Sequence, residues 1–178
     1  GLPGLLGIQE GYGHRVHSAG TRAGFGPIIV KFEYNVAIDV PQERVWEILS
    51  DVGSASSLMP GVQSVEQQPD GTYTGIIQIR IGPIGFNLVG AVAISEDRNL
   101  GKWSMVSQAQ DPRIGGGVTS KVETTITEPS TGSTQMQVNA DVQFSGKLGQ
   151  LGQPLIKKKA DSMIREFTEN LRRAATGG

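Results

Sequence analysis

The chain of 178 residues has no cysteine and only two histidines, both near its start. Without cysteine there can be no disulfide and no thiolate-ligated zinc, and the redox compartment is left unmarked. Beyond residue 27 histidine is missing too. That removes Ser-His-Asp and Cys-His nucleophiles and imidazole-bound metals from the rest of the chain. Neither sign of charge is in excess: 16 Lys and Arg face 17 Asp and Glu, a formal net charge of −1. A nucleic-acid binder ordinarily carries a basic surplus on one face, so that class finds no support. No apolar run approaches the roughly 18 residues of a membrane span. The opening Gly-Leu-Pro-Gly-Leu-Leu-Gly lacks a charged leader and does not read as a signal peptide, so a cytoplasmic location is expected. Phosphate-cradling loops are also missing. Gly115-Gly116-Gly117 leads into a strand rather than a helix, and reads either as a mobile rim or as a flexible connection or edge bulge.

What is present begins with a contrast. Residues 1–27 are glycine-rich and aperiodic, and read as a flexible N-terminal arm or tag-like segment. His14 and His17 lie there, and two ligands on such a segment make a weak metal site, so no metal is expected. From Ile28 the pattern sharpens into one domain over residues 28–176. Ile28, Val30, Phe32, Tyr34, Val36 and Ile38 alternate with polar or small residues, the period of a half-buried strand. Pro41 suits the first position of a helix over about 41–51, in which Val45, Trp46 and Leu49 recur at helical spacing. Gly53 and Ser54 to Ser57 break it, and a second short turn runs to Met59.

Strands follow up to about residue 145. Tyr73, Ile77, Ile79 and Ile81 share a face with Gly75, and Phe86, Leu88, Val92 and Ile94 share one with Gly90. Trp103 goes with Met105; Val118, Val122 and Ile126 with Ser120 and Thr124; Met136, Val138, Val142 and Phe144 with Ala140. Short turns separate the runs, so neighbours pair antiparallel. Near the C-terminus Ile156, Ala160, Met163, Ile164, Phe167, Leu171 and Ala174 form one stripe of a long helix suited to lie on a sheet. The predicted order is one strand, two short helices, six further strands and one long helix: an α+β domain with a curved seven-stranded antiparallel sheet.

The inward faces hold no charged residue from Tyr73 through Phe144 in this reading, only hydroxyls such as Tyr34, Tyr73, Ser120 and Thr124. Catalysis is therefore unsupported, because a reaction needs a polarised group aimed at the substrate. Gly75, Gly90, Ser120 and Ala140 sit near strand centres, with large residues toward the ends. Small residues there leave a hollow, unless Trp46, Trp103 and Phe167 fill it. Unfilled volume costs roughly 24 cal/mol per Å³, so a hollow needs a reason, and an apolar pocket is one. On the long helix, Asp161, Arg165, Glu169 and Arg173 alternate in sign at spacing four, the dress of a solvated face. Lys157, Lys158 and Lys159 at its start are candidates for contact with a membrane or a partner.

Several segments carry a family resemblance: Phe32-Glu33-Tyr34-Asn35-Val36, Val40-Pro41 with Val45-Trp46 and Leu49-Ser50-Asp51, Met59-Pro60-Gly61-Val62, Ile81-Gly82-Pro83-Ile84, the triple glycine, and Phe144-Ser145-Gly146-Lys147-Leu148-Gly149-Gln150-Leu151-Gly152. Over residues of about 31–175 the sequence resembles the family of the carbon monoxide dehydrogenase G subunit, in the superfamily of START lipid-transfer domains, birch-type pollen allergens and polyketide cyclases. The resemblance implies the helix-grip fold around an apolar cavity, and an accessory rather than catalytic role beside the molybdenum-containing CO dehydrogenase. It also implies association with the cytoplasmic face of the membrane, often through an extension after the last helix, and handling of the electron-accepting quinone. This sequence ends at Gly178, so anchoring through such an extension is not expected of it.

Function is thus expected to be non-enzymatic binding of a neutral hydrophobic ligand, with menaquinone or another isoprenoid quinone as the leading candidate. Expected lining residues are Trp46, Leu49, Met59, Phe86, Leu88, Trp103, Phe144, Met163 and Phe167, with Tyr34 or Tyr73 as donors to a quinone carbonyl. A cyclase- or dehydratase-like enzyme is the alternative, and needs Glu33 or Asp51 in the cavity. A ligand-free assembly factor for CO dehydrogenase is a third reading; it needs a filled core and an exposed apolar patch.

Overall fold

The computed structural model describes residues 26–177. Both histidines lie outside the described residues, and so does most of the expected N-terminal arm. The elements are β1 (Ile28–Ile38), α1 (Gln42–Ser50), α2 (Val52–Ser57), β2 (Val62–Gln67), β3 (Tyr73–Ile81), β4 (Ile84–Asp97), β5 (Lys102–Asp111), β6 (Gly116–Ser130), β7 (Ser133–Ser145), α3 (Gly146–Gln150) and α4 (Gln153–Gly177). All strand pairs are antiparallel, in the order β1-β7-β6-β5-β4-β3-β2. The first strand therefore sits beside the last, and α1 and α2 carry the chain to the opposite edge. This is the helix-grip fold, with α4 lying over the inner face of the curved sheet.

The two expected short helices are both present, and only the bounds of the second differ. It takes in the Gly-Ser segment expected to break α1, because Asp51 caps it: its carboxylate accepts from the Ser54 N–H at 3.2 Å and from Ser54 Oγ at 2.9 Å. The helix α3 had no apolar periodicity to announce it. Its joint with β6 also explains the glycines. A Cβ on Gly146 would meet the Gly115 oxygen at 1.7 Å, and one on Gly116 would press on Leu148 and Phe86 at 3.3 Å. Gly116 and Gly117 therefore form a close-packed seam, while Gly115, at φ +69° with open space beside it, serves the turn before β6.

Gly75 and Gly90 also have a role different from the one expected. They are register partners on β3 and β4. A Cβ on Gly90 would lie 2.1 Å from the Gln108 oxygen and 2.6 Å from Ala109 Cα; one on Gly75 would lie 2.7 Å from the Ser64 oxygen. Neighbouring backbone leaves no room for a side chain there, so these glycines let the sheet bend rather than simply emptying the space above it.

Two large clusters make up the core under the helices, and Ala93 with Val106 forms a small third one. One buried cluster joins α1 to the far ends of β1, β6 and β7 and to Leu171 of α4: Val36, Ile38, Val45, Trp46, Ile48, Leu49, Ile126 and Met136 belong to it. The other gathers Val30, Phe32, Ile81, Phe86, Leu88, Phe144 and Leu148 around Ile156. The ends of α4 are thus anchored, with Ile156 2% and Leu171 0% exposed.

Candidate functional site

Between the two clusters the inner face is less well covered. Strand register puts Val92, Ile94, Met105 and Val122 on that face. All four are only half-buried and packed into neither cluster, as are Met163 and Ile164 on the helix above. Helix α4 comes close to the sheet at β1 and β3, near the two edges. It bridges the middle strands, and the surface it spans is apolar apart from the hydroxyls of Ser107, Ser120 and Thr124.

Polar fastenings hold the helix in that position. The Tyr34 hydroxyl donates to Asp161 Oδ1 at 2.8 Å, tying β1 to α4. Asn170 Nδ2 donates to the Leu58 carbonyl at 2.9 Å, tying α4 to the end of α2. Arg44 of α1 donates from Nη2 to the Ala174 carbonyl at 3.1 Å and from Nε to the Ala175 carbonyl at 3.3 Å. That places a cation at the C-terminal end of the helix dipole. Burial, then the bond to Asp161 and its charge, push the Tyr34 hydroxyl well above the usual tyrosine range. Its proton is committed to the helix, so Tyr34 is not the free donor expected from sequence. Asp161 likewise turns from the solvated ladder to this fastening, while Glu169 keeps its ion pairs with Arg172 and, at 3.7 Å, with Arg173.

The expected lining residues separate into two groups. Trp46, Leu49, Phe86, Leu88 and Phe144 are buried inside the two clusters, where they form the end walls. Tyr34, Met59, Tyr73, Trp103, Met163 and Phe167 are half-buried. Trp103 and Phe167 rest on the first cluster, and the buried Trp103 indole N–H has no acceptor among the described residues. Arg98 stacks over Trp46 with its guanidinium 5.6 Å from the ring centroid and donates to Ser50 Oγ at 2.7 Å. Lys157 and Lys158 are exposed and Lys159 half-buried, with Leu155 exposed beside them.

Sequence reasoning missed two features of the inner face. Ser107 shares the phase of Trp103 and Met105 and pairs across the strands with Ser120, their hydroxyls hydrogen-bonded to each other. Following that phase two residues past Met105 would have reached it. The inner face also carries charge, contrary to expectation, in the form of Glu96, Asp111 and Glu128. Each lies at a strand end and has its own partners. Glu96 accepts from Ser50 Oγ at 2.9 Å, and Glu128 accepts from the Gln42 N–H at 2.6 Å, a cap for α1 supplied from the sheet. Asp111 is held down to about 2 by hydrogen bonds from the Arg113 guanidinium and the Asn87 N–H. Glu33 and Asp51, the acids an enzyme would need in the cavity, are both exposed; Glu33 faces outward and Asp51 caps α2.

Residues 35–176 match the model of the CoxG family, the G subunit of carbon monoxide dehydrogenase. The chain belongs to that family. CoxG proteins are accessory subunits without a catalytic role, and the chain is assigned accordingly as a non-enzyme. A comparison with curated proteins finds no match. Solved structures share the fold. A conserved protein from Geobacillus kaustophilus superposes with TM-score 0.76 at 17% identity, over 83% of this chain and 96% of that one. A START superfamily protein from Mycobacterium smegmatis gives 0.58 at 16% identity, over 83% and 97%. Norcoclaurine synthase from Thalictrum flavum, solved in complex with dopamine and hydroxybenzaldehyde, gives 0.55 at 13% identity, over 80% and 86%. Among the described residues of this CoxG-family chain, no helix is long and apolar enough to cross a membrane.

Proposed function

We propose that this CoxG-family protein holds a neutral hydrophobic molecule between α4 and the middle of the sheet, and carries it in the service of molybdenum-containing CO dehydrogenase. Menaquinone or another isoprenoid quinone is the cargo this reading favours. The observation that carries it is the half-covered apolar surface of Val92, Ile94, Met105, Val122, Met163 and Ile164 between two well-packed clusters. An uncovered apolar interior loses packing and hydrophobic contacts that an occupant would restore. Each apolar side chain buried against a ligand contributes on the order of 1.5–3 kcal/mol before the costs of association. Tyr73, Trp103 and Phe167 extend the surface, and the end walls set its length.

Family membership supports the enzyme partner. The cluster of Lys157, Lys158 and Lys159 with exposed Leu155 supports contact with the cytoplasmic membrane surface from which a quinone would be drawn. The test is a thermal shift with a short-chain menaquinone. At 100 times its Kd a ligand stabilises by roughly 2.7 kcal/mol, which gives a clear rise in melting temperature. No rise at saturating quinone removes the quinone reading.

A further inference from the structure

The structure assigns a polar reading head to the floor of this hollow: the Ser107–Ser120 hydroxyl pair, which selects a neutral apolar ligand bearing a hydrogen-bond acceptor over a hydrocarbon or a carboxylate. The inference rests on the reading of the hollow as a ligand site. Ser107 of β5 and Ser120 of β6 are directly opposed, and Val92 of β4 and Val142 of β7 flank them across the sheet. Along the strands their inward neighbours are Met105, Ala109, Val118 and Val122. The pair is an isolated polar spot in an apolar surface.

Its chemistry follows from counting hydrogens. Two hydroxyls carry two, and the hydrogen bond between them uses one. The backbone carbonyls of these central strands are engaged in the sheet ladders on both sides. The second hydrogen is left for an acceptor in the space above, and Ser107, half-buried, is open to that space. A carbonyl or ether oxygen satisfies it, whereas a pure hydrocarbon leaves it unpaired in apolar surroundings.

Charge narrows the class further. The ionisable groups of the inner strand face are Tyr34, Tyr73, Glu96, Asp111 and Glu128, and the helix adds Asp161 at the Tyr34 fastening and half-buried Lys159 at the edge of its stripe. Arg113 answers Asp111 from the loop after β5, and Arg98 is held by Ser50 and Trp46 at the rim. Among the described residues the inner strand face offers a carboxylate no lysine or arginine, and Lys159 is only half-buried at the edge of the helix stripe, so a fatty acid is disfavoured on the same surface that accepts a ketone.

Three probes with one ring system test this: 2-acetylnaphthalene, its isostere 2-isopropenylnaphthalene, and 2-naphthoate, each titrated by quenching of tryptophan fluorescence. The quantity read is the ratio of hydrocarbon to ketone Kd. It is expected to fall roughly tenfold from wild type to the Ser107→Ala, Ser120→Ala double variant, one buried hydrogen bond's worth. A Ser120→Ala single variant, which keeps the Ser107 hydroxyl, is expected to retain most of the discrimination and guards against a folding defect. Naphthoate is expected to bind at least tenfold more weakly than the ketone. A ratio unchanged within twofold, with both neutral probes bound, overturns the inference and leaves the hollow standing. Failure of wild type to bind either neutral probe overturns both.

Discussion

Replacing Gly90 and Gly85 by alanine, one at a time, separates the two explanations for glycine in β4. At Gly90 the new Cβ would sit 2.1 Å from the Gln108 oxygen and 2.6 Å from both Cα and Cβ of Ala109. Two of those three atoms are backbone in the adjacent strand, so relief requires β4 and β5 to move apart. Overpacking of this kind typically costs about 1–3 kcal/mol, and the backbone contacts put Gly90→Ala at the upper end. At Gly85, five residues earlier on the same strand, nothing lies within 4 Å of the new atom and no positive φ is involved. The alanine there loses less backbone entropy on folding, so it is neutral or stabilises by about 0.4–1 kcal/mol. In thermal melts of a domain this size, 1 kcal/mol corresponds to roughly 2–4 °C. Gly90→Ala should therefore lower the midpoint by about 4–10 °C while Gly85→Ala leaves it level or raises it. Equal midpoints for the two variants would refute the claim that Gly90 is dictated by strand approach, and would restore simple spare volume as its reason.

Three further outcomes follow from the fastenings of the helix and the sheet ends. Arg44→Ala removes both donors to the last carbonyls of α4 and should cost about 1–2 kcal/mol. Hydrogen exchange in the last turns of α4 should speed up while β6 and β7 stay protected; uniform loss of protection would contradict the local role. Asp111 titrates near 2 in the folded chain, below its ordinary value near 4. Its contribution is therefore fully present above pH 4 and lost as the pH falls through 2, and Asp111→Asn should flatten that part of the acid limb in urea melts; parallel limbs would show that the shift is not there. Tyr34 should stay protonated where an ordinary tyrosine ionises. The absorbance titration of wild type minus Tyr34→Phe should thus show no tyrosinate step near pH 10, and a normal step there would mean the bond to Asp161 is absent.

The strands were legible because one face of each is buried and the period of two is plain, as in β1 from Ile28 to Ile38. The weakest is β2, an edge strand in which only Val62 and Val65 are apolar, so little periodicity can show. The stripe of α4 was readable for the same reason as the strands, and its anchors Ile156 and Leu171 fall on it. Register was not readable, and the site depends on register. Only the alignment of β5 with β6 brings Ser107 against Ser120, and only the closeness of β4 to β5 reveals why position 90 carries no side chain. The inward acids escaped notice because the strands outrun their apolar centres: Glu96 and Glu128 keep the inner phase where the chain already leaves the core, while Asp111, fully buried at the end of β5, depends on the Asn87 N–H and on Arg113, which the apolar pattern does not announce.

The central claim is that the space under α4 holds a neutral apolar molecule. Its most direct test is organic extraction and mass spectrometry of the protein purified from a quinone-containing host, beside a Val122→Phe variant. Val122 lies at the centre of β6 on the inner face, half-buried and outside both clusters, so a phenyl ring there occupies the hollow without opening the sheet. The account predicts a stoichiometric neutral lipid or quinone from wild type and its loss from the variant, with the variant's melting temperature maintained. No neutral lipid from wild type, or the same amount from a folded variant, would contradict it.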